Sequence, residues 1–224
     1  MKHLIIPDTH GNKFYHFDRL VTHLKNGYNI VCLGDEFDSF DKKLSDQLEI
    51  FKNLTKLKHK YPKQVILLWG NHTYQYSRKF NPDLIPLCSG FQENRKYIIA
   101  DEVDKHFDKF QFAYQYKNYL FTHAGLSNTY LQYLKDKVGI KGGNLIINIE
   151  ELLNYPHQEH NWASGYNGGR DRFDGIMWIR PTQLNKDLPE GIKQIVGHTK
   201  QENGIWITDD VIYCDAEQTF TIDL

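Results

Sequence analysis

The sequence predicts an α/β fold built on parallel strands. Two observations carry this expectation. Short apolar runs alternate with amphipathic helical stretches through residues 2–70, and each run ends in glycine or in a cluster of polar side chains.

The first run, residues 2–7, holds Leu4-Ile5-Ile6 and stops at a polar turn over residues 8–12. A helix is predicted over residues 14–24, where Phe14, Phe17, Leu20, Val21 and Leu24 share one face. A second strand follows at residues 29–33, ended by Gly34. The next helix spans residues 43–60 and aligns Leu44, Leu48, Phe51, Leu54 and Leu57. A third strand, residues 64–69, ends at Gly70. Strand–helix–strand–helix–strand order implies parallel pairing with helices on the sheet faces.

Further along, the pattern is less regular. Residues 74–88 read as a loop or short helix; residues 97–100, 111–116 and 119–122 read as strands, and residues 128–137 as a helix. Residues 154–175 form a long glycine-rich loop, and long ordered loops are usually functional. Short strands are predicted at residues 194–196, 204–208 and 211–215, with Asp209-Asp210 as the turn between the last two. No repeat, low-complexity tract or linker interrupts the sequence, so a single domain over residues 1–224 is expected.

Composition narrows the function classes. Forty per cent hydrophobic residues and 14% aromatics exclude a disordered chain. A formal net charge of -1 gives no reason to expect nucleic acid as a partner. The three cysteines, Cys32, Cys88 and Cys214, share no CxxC spacing and read as core residues. The apolar run before Asp8 is too short for a signal peptide core, and no later run approaches a membrane span. A soluble, cytoplasmic protein with no membrane contact is expected.

The chemistry sits where the strands end, as it does in open α/β sheets. The first strand runs into Asp8-Thr9-His10 and the second into Gly34-Asp35-Glu36-Phe37-Asp38. The third runs into Gly70-Asn71-His72, and later ones into His123-Ala124-Gly125 and Gly197-His198-Thr199. One such ending means little, but five in one chain supply metal-ligand residue types together. Two divalent ions about 3.5–4 Å apart need an anionic ligand between them, and Asp35 is the candidate. Carboxylate and imidazole donors suit manganese, iron or zinc better than calcium.

The order D-x-H, G-D-x-x-D, G-N-H, H-A-G and G-H-T resembles the calcineurin-like metallophosphoesterases. The H-A-G form and Trp178-Ile179-Arg180-Pro181 are most similar to bacterial and phage members of its phosphoprotein phosphatase branch. The resemblance runs from Asp8 to Asp215. It implies a central β-sandwich of mixed sheets flanked by helices. It also implies two divalent metal ions, manganese first, with iron, zinc or nickel as alternatives. Asp8 and His10 would hold the first metal, Asp35 would bridge, and Asn71, His123 and His198 would complete the second. A metal-bridging hydroxide would attack phosphorus in line. His72, oriented by Asp38, would protonate the leaving oxygen. Arg180 would grip the phosphate with its planar fork, with Asn71 also at the substrate.

The sequence departs from the family pattern at three places. Ser39 stands where the pattern has an arginine that contacts phosphate; Arg170, Arg172 or Arg78 could replace it. Thr73 stands where the pattern often has glutamate, and Lys200 where many relatives have another histidine. The expected substrate is a phosphomonoester, either phosphoserine or phosphothreonine in a protein or a small metabolite. A phosphodiester or dinucleoside polyphosphate hydrolase, or a catalytically silent binding module, are the alternatives. Specificity would lie in residues 74–91 and 154–175, where His157 and His160 are further candidates.

Overall fold

The computed structural model describes residues 1–13, 16–79, 87–137, 149–154 and 168–224. In the first sheet, β1 (Lys2–Ile6), β2 (Asn29–Cys32), β3 (Val65–Leu68) and β4 (Phe110–Gln111) run parallel. The second sheet orders β5 (Ala113–Tyr116), β6 (Tyr119–Thr122), β7 (Lys193–Val196), β9 (Val211–Tyr213) and β8 (Trp206–Ile207). There β6, β7 and β9 are parallel, while β5 and β8 are antiparallel edges. A last strand, β10 (Phe220–Asp223), returns to the first sheet and pairs antiparallel with β1. The described helices are α1 (Phe17–Lys25), α2 (Leu44–Lys60), α3 (Asn71–Tyr74), α4 (Lys96–Lys105), α5 (Asn128–Lys137), α6 (Ile149–Leu153) and α7 (Pro181–Leu184).

Side-chain alternation explains the layering. In β1 to β3, Leu4, Ile6, Ile30, Cys32, Val65 and Leu67 pack with Leu20 and Leu24 of α1 and with Ile50, Phe51, Leu54 and Leu57 of α2. Their neighbours Ile5, Val31, Ile66 and Leu68 face the second sheet, against Phe121 and Ile195. Both faces are therefore buried, which is why these strands read as unbroken apolar runs. The expected sandwich of two mixed sheets flanked by helices is present.

Three elements differ from expectation. Residues 97–100 are helical, within α4: Ile99, Ala100 and Val103 are buried while Tyr97 and Ile98 are exposed, a spacing of three to four that a four-residue window hides. Residues 111–116 belong to two strands, because the chain changes sheets at Phe112. Asn154, just past α6, holds the crossing: its Oδ1 accepts the Phe112 and Ala113 N–H groups at 2.6 and 3.2 Å. The strand β10 is additional. Phe14 and most of residues 154–175, His157 and His160 included, lie outside the described residues, as do residues 80–86. The turn at Asp209-Asp210 is as expected, closed by Thr208 N–H to Val211 C=O at 2.9 Å. Among the described residues no helix is long and apolar enough to cross a membrane.

Candidate active site

The segments leaving β1, β2, β3, β6 and β7 converge at one edge of the sandwich, and glycines let them. A Cβ on Gly70 would lie 2.1 Å from Asp35 Oδ1, and one on Gly197 would lie 2.0 Å from Asp8 Oδ1. Backbone donors then fix the carboxylates. The His72 N–H donates to Asp35 Oδ1 at 2.9 Å, and the His198 N–H to Asp8 Oδ2 at 2.8 Å. The Asp35 carbonyl accepts the Thr9 and His10 N–H groups at 3.0 and 2.9 Å. His10, Asp35, Asp38 and His198 all have left-handed φ, between 41° and 66°. Non-glycine residues pay for that conformation, and such strain gathers at functional sites.

These constraints assemble two ligand groups that share one residue. Asp8, His10 and Asp35 present ligand atoms within 4.8 Å of one another, and so do Asp35, His123 and His198. Each histidine has one ring nitrogen tied to a backbone carbonyl. His10 Nδ1 meets Phe37 O at 2.6 Å, His123 Nδ1 meets Leu33 O at 2.8 Å, and His198 Nε2 meets Trp178 O at 2.9 Å. A carbonyl only accepts, so that nitrogen carries the proton and the other offers a lone pair. His123 Nε2 lies 2.9 Å from Asn71 Oδ1 and 3.3 Å from Asp35 Oδ2, where it would offer its lone pair once a metal ion replaced the proton between them. The Asn71 amide is oriented by its own N–H to Cys88 Sγ at 3.4 Å. Acceptors packed this closely need a cation among them, and the buried Asp8 Oδ1 has no hydrogen-bond partner among the described residues. The donor set fits divalent metal ions.

Electrostatics agree. Burial, with Asp215 and Asp35 beside it, pushes Asp8 well above the usual carboxylate range. Burial also opposes ionisation of Asp35, but the His123, His72 and His10 imidazoles outweigh it and hold Asp35 low. His198 is held well below its ordinary value by burial, His123 and Arg180, and His10 is lowered chiefly by burial. Neutral His10 and His198 and an ionised Asp35 are ligand-ready forms, whereas Asp8 would give up its proton to a bound cation.

Beside this cluster stands His72. Its Nδ1 donates to Asp38 Oδ2 at 3.0 Å, and burial's downward pull is outweighed by Asp35 and Asp38, so its pKa is raised. Asp38 also accepts from Gln75 Nε2 and the Tyr76 hydroxyl, and the Tyr76 oxygen in turn accepts the Gln92 N–H at 2.8 Å. A cavity of about 350 Å³ opens here, lined by Asp8, His10, Asp38, His72, Arg180 and His198 among others. Arg180 is anchored by Nε to Gly168 O at 3.1 Å and by Nη1 to His198 O and Thr199 Oγ1 at 3.2 Å, which leaves Nη2 without a partner among the described residues. Arg170 and Arg172 are exposed and do not line the cavity, and Arg78 is committed to Asp101 and Asp104 elsewhere. Sequence reasoning missed Gln75 and Tyr76, which brace Asp38, and Asp215, which lines the cavity at the end of β9. For Asp215 a signal existed, since it too closes a parallel strand.

Thr73 has a structural partner. Its hydroxyl donates to Glu36 Oε2 at 2.6 Å and accepts the Glu36 N–H at 3.0 Å. Burial lifts Glu36 from its ordinary 4.5 to about 7. Unfolded glutamate releases its proton near 4.5 while the folded one keeps it, so this group makes stability fall as pH rises from 4.5 to about 7. The loss is on the order of 3 kcal/mol. In metal-free protein, Glu36→Gln is expected to raise the melting temperature relative to wild type at pH 8 but not at pH 4.5. A constant difference across that range would refute the assignment.

A two-sheet sandwich that brings carboxylates and neutral imidazoles to its strand ends, with a braced imidazole at the cavity, defines a metal-centred hydrolase. The chain belongs to the calcineurin-like phosphoesterase family, whose sequence model matches residues 1–224, and it is a phosphoester hydrolase. Among solved structures, a cold-active protein-tyrosine phosphatase of a psychrophilic Shewanella species shares the fold with a TM-score of 0.56 at 19% identity, over 96% of this chain and 70% of that one. A protein serine/threonine phosphatase from Saccharomyces cerevisiae, described as similar to human phosphatase PP5, matches with a TM-score of 0.55 at 16% identity, over 96% of this chain and 66% of that one. No curated protein matches in sequence.

Proposed function

We propose that the chain hydrolyses phosphomonoesters at a two-metal centre. The observation that carries this reading is Asp35, shared between two ligand groups and flanked by the His72–Asp38 pair. Asp8, His10 and Asp35 would hold one ion; Asp35, Asn71, His123 and His198 would hold the other. When bound, such ions neutralise phosphoryl charge and lower the pKa of a water molecule.

The side chains divide the remaining work. Arg180, fixed through Nε and Nη1, offers Nη2 to the phosphoryl oxygens. His72 holds a proton at the cavity, because Asp38 takes its Nδ1 and the nearby carboxylates favour its charged form. That proton goes to the leaving oxygen as the ester bond breaks. Gln75 and Tyr76 keep Asp38 from rotating away. Phosphoserine, phosphothreonine and small phosphorylated metabolites are the substrates this reading names, with manganese as the first metal to try.

Hydrolysis of p-nitrophenyl phosphate in the presence of manganese, nickel, iron or zinc tests the reading, and no turnover with any of them would overturn it. His72→Asn is expected to lower kcat roughly 10²–10⁴-fold while metal content stays the same. The loss should be larger for an alkyl phosphate than for p-nitrophenyl phosphate, whose leaving group hardly needs a proton. Equal losses on both would remove His72 from the role of acid.

A further inference from the structure

The cavity wall is short of positive charge. Asp8, Asp38, Asp41, Asp215 and Glu217 line it, while Arg180 and Lys200 are its only lysine or arginine side chains among the described residues. A phosphomonoester carries nearly two negative charges at neutral pH. Ser39 adds no cation to the wall, and its hydroxyl is used in its own turn: it donates to Asp41 Oδ1 at 2.9 Å and accepts the Lys42 N–H at 3.1 Å.

Lys200 is placed differently from an ordinary surface lysine. It follows the His198-Thr199 segment, whose Thr199 hydroxyl and His198 carbonyl anchor Arg180. Its Nζ donates to Glu217 Oε1 at 2.7 Å, and both partners line the cavity. Glu217 itself has a left-handed φ of 53°, so the backbone there accepts strain while the carboxylate holds the ammonium at the rim. An exposed ion pair contributes little to stability, which leaves its position as the feature to explain. An ammonium has three donors, and Glu217 occupies one.

We propose that Lys200 is a second phosphoryl-contacting cation, acting with Arg180 on the substrate dianion. This rests on the phosphomonoesterase reading above and deepens it: the added charge selects dianionic monoesters over monoanionic diesters.

The experiment uses the full chain loaded with manganese, comparing wild type, Lys200→Ala and Lys200→Arg. Manganese content is measured first, then binding of inorganic phosphate by calorimetry, then kcat and KM on p-nitrophenyl phosphate and on bis-p-nitrophenyl phosphate. Lys200→Ala is expected to keep its manganese, to bind phosphate about tenfold more weakly and to raise KM for the monoester by a similar factor. The diester constants should change little, and Lys200→Arg should restore most of the phosphate affinity. Unchanged phosphate affinity in Lys200→Ala would overturn the proposal, and so would loss of manganese, which would put Lys200 to work on the metals. A wild type that takes up manganese and binds phosphate but hydrolyses no ester would defeat the catalytic reading alone. In that protein, weaker phosphate binding by Lys200→Ala would still support the proposal.

Discussion

Asp35→Asn is expected to abolish the metal centre while leaving the fold intact. The substitution keeps the shape and removes the one charge that both ligand groups share. The backbone contacts to Thr9 and His10 persist, since they use the Asp35 carbonyl. The imidazoles that hold Asp35 low also make its charge stabilising, so the metal-free variant should melt below metal-free wild type near neutral pH. Adding manganese should widen that gap. At a free concentration of 100 times Kd, metal stabilises the protein that binds it by about 2.7 kcal/mol, and the variant should show no such shift. Metal analysis should find about two ions per wild-type chain and fewer than one per variant chain. Turnover should drop by at least ~10³-fold, because charge stabilisation and water activation are lost together. A variant that still takes up two ions would show that Asp35 is not the shared ligand.

The second large effect is expected from a residue with no side chain. Gly70 has φ -104° and ψ 159°, an extended conformation open to any amino acid. Space alone demands glycine: a Cβ there would lie 2.1 Å from Asp35 Oδ1 and 2.5 Å from the Asp35 nitrogen. The opposing Gly34 is as crowded, with its Cβ position 2.4 Å from the Gly70 nitrogen. Neither backbone can yield without moving Asp35. Gly70→Ala should therefore destabilise by about 3 kcal/mol or more and shift the shared carboxylate off its partners. Misplacement near 1 Å costs on the order of 10² in rate even where chemistry is untouched. Gly191→Ala is the comparison: among the described residues nothing lies within 4 Å of its Cβ position, and only its φ of +74° is unfavourable. It should cost about 1 kcal/mol and leave turnover unchanged. Denaturation curves and kcat for both variants decide the matter, and equal effects would remove the steric argument.

The strand-end residues were legible because a metal centre needs particular donor types at the ends of consecutive strands, and both the donors and the strands leave local patterns. Asp8, Asp35, Asn71, His123 and His198 each follow an apolar run that the eye can find. Other features depend on distance in the chain. The strand β10 does alternate, with Phe220, Ile222 and the following Leu224 on the packed side, but it is short, half exposed and meets β1 from the opposite end of the sequence. Residues 111–116 form one alternating run, yet the chain crosses between sheets inside it, held by a side chain about 40 residues on. Gln75 and Tyr76 lie in a stretch without periodicity, and their value comes from pointing at Asp38. The Lys200–Glu217 pair spans a whole hairpin.

The left-handed backbone at His10, Asp35, Asp38 and His198 bears on how this protein would respond to engineering. Each of these positions would relax by roughly 1–2 kcal/mol as glycine. Under the proposed two-metal reading, a library screened only for heat tolerance of the metal-free chain would be drawn to whichever of these sites gains more from that relaxation than it loses in side-chain contacts, and would trade away catalysis first. The improvement would come from erasing what the chain had kept its backbone bent to present.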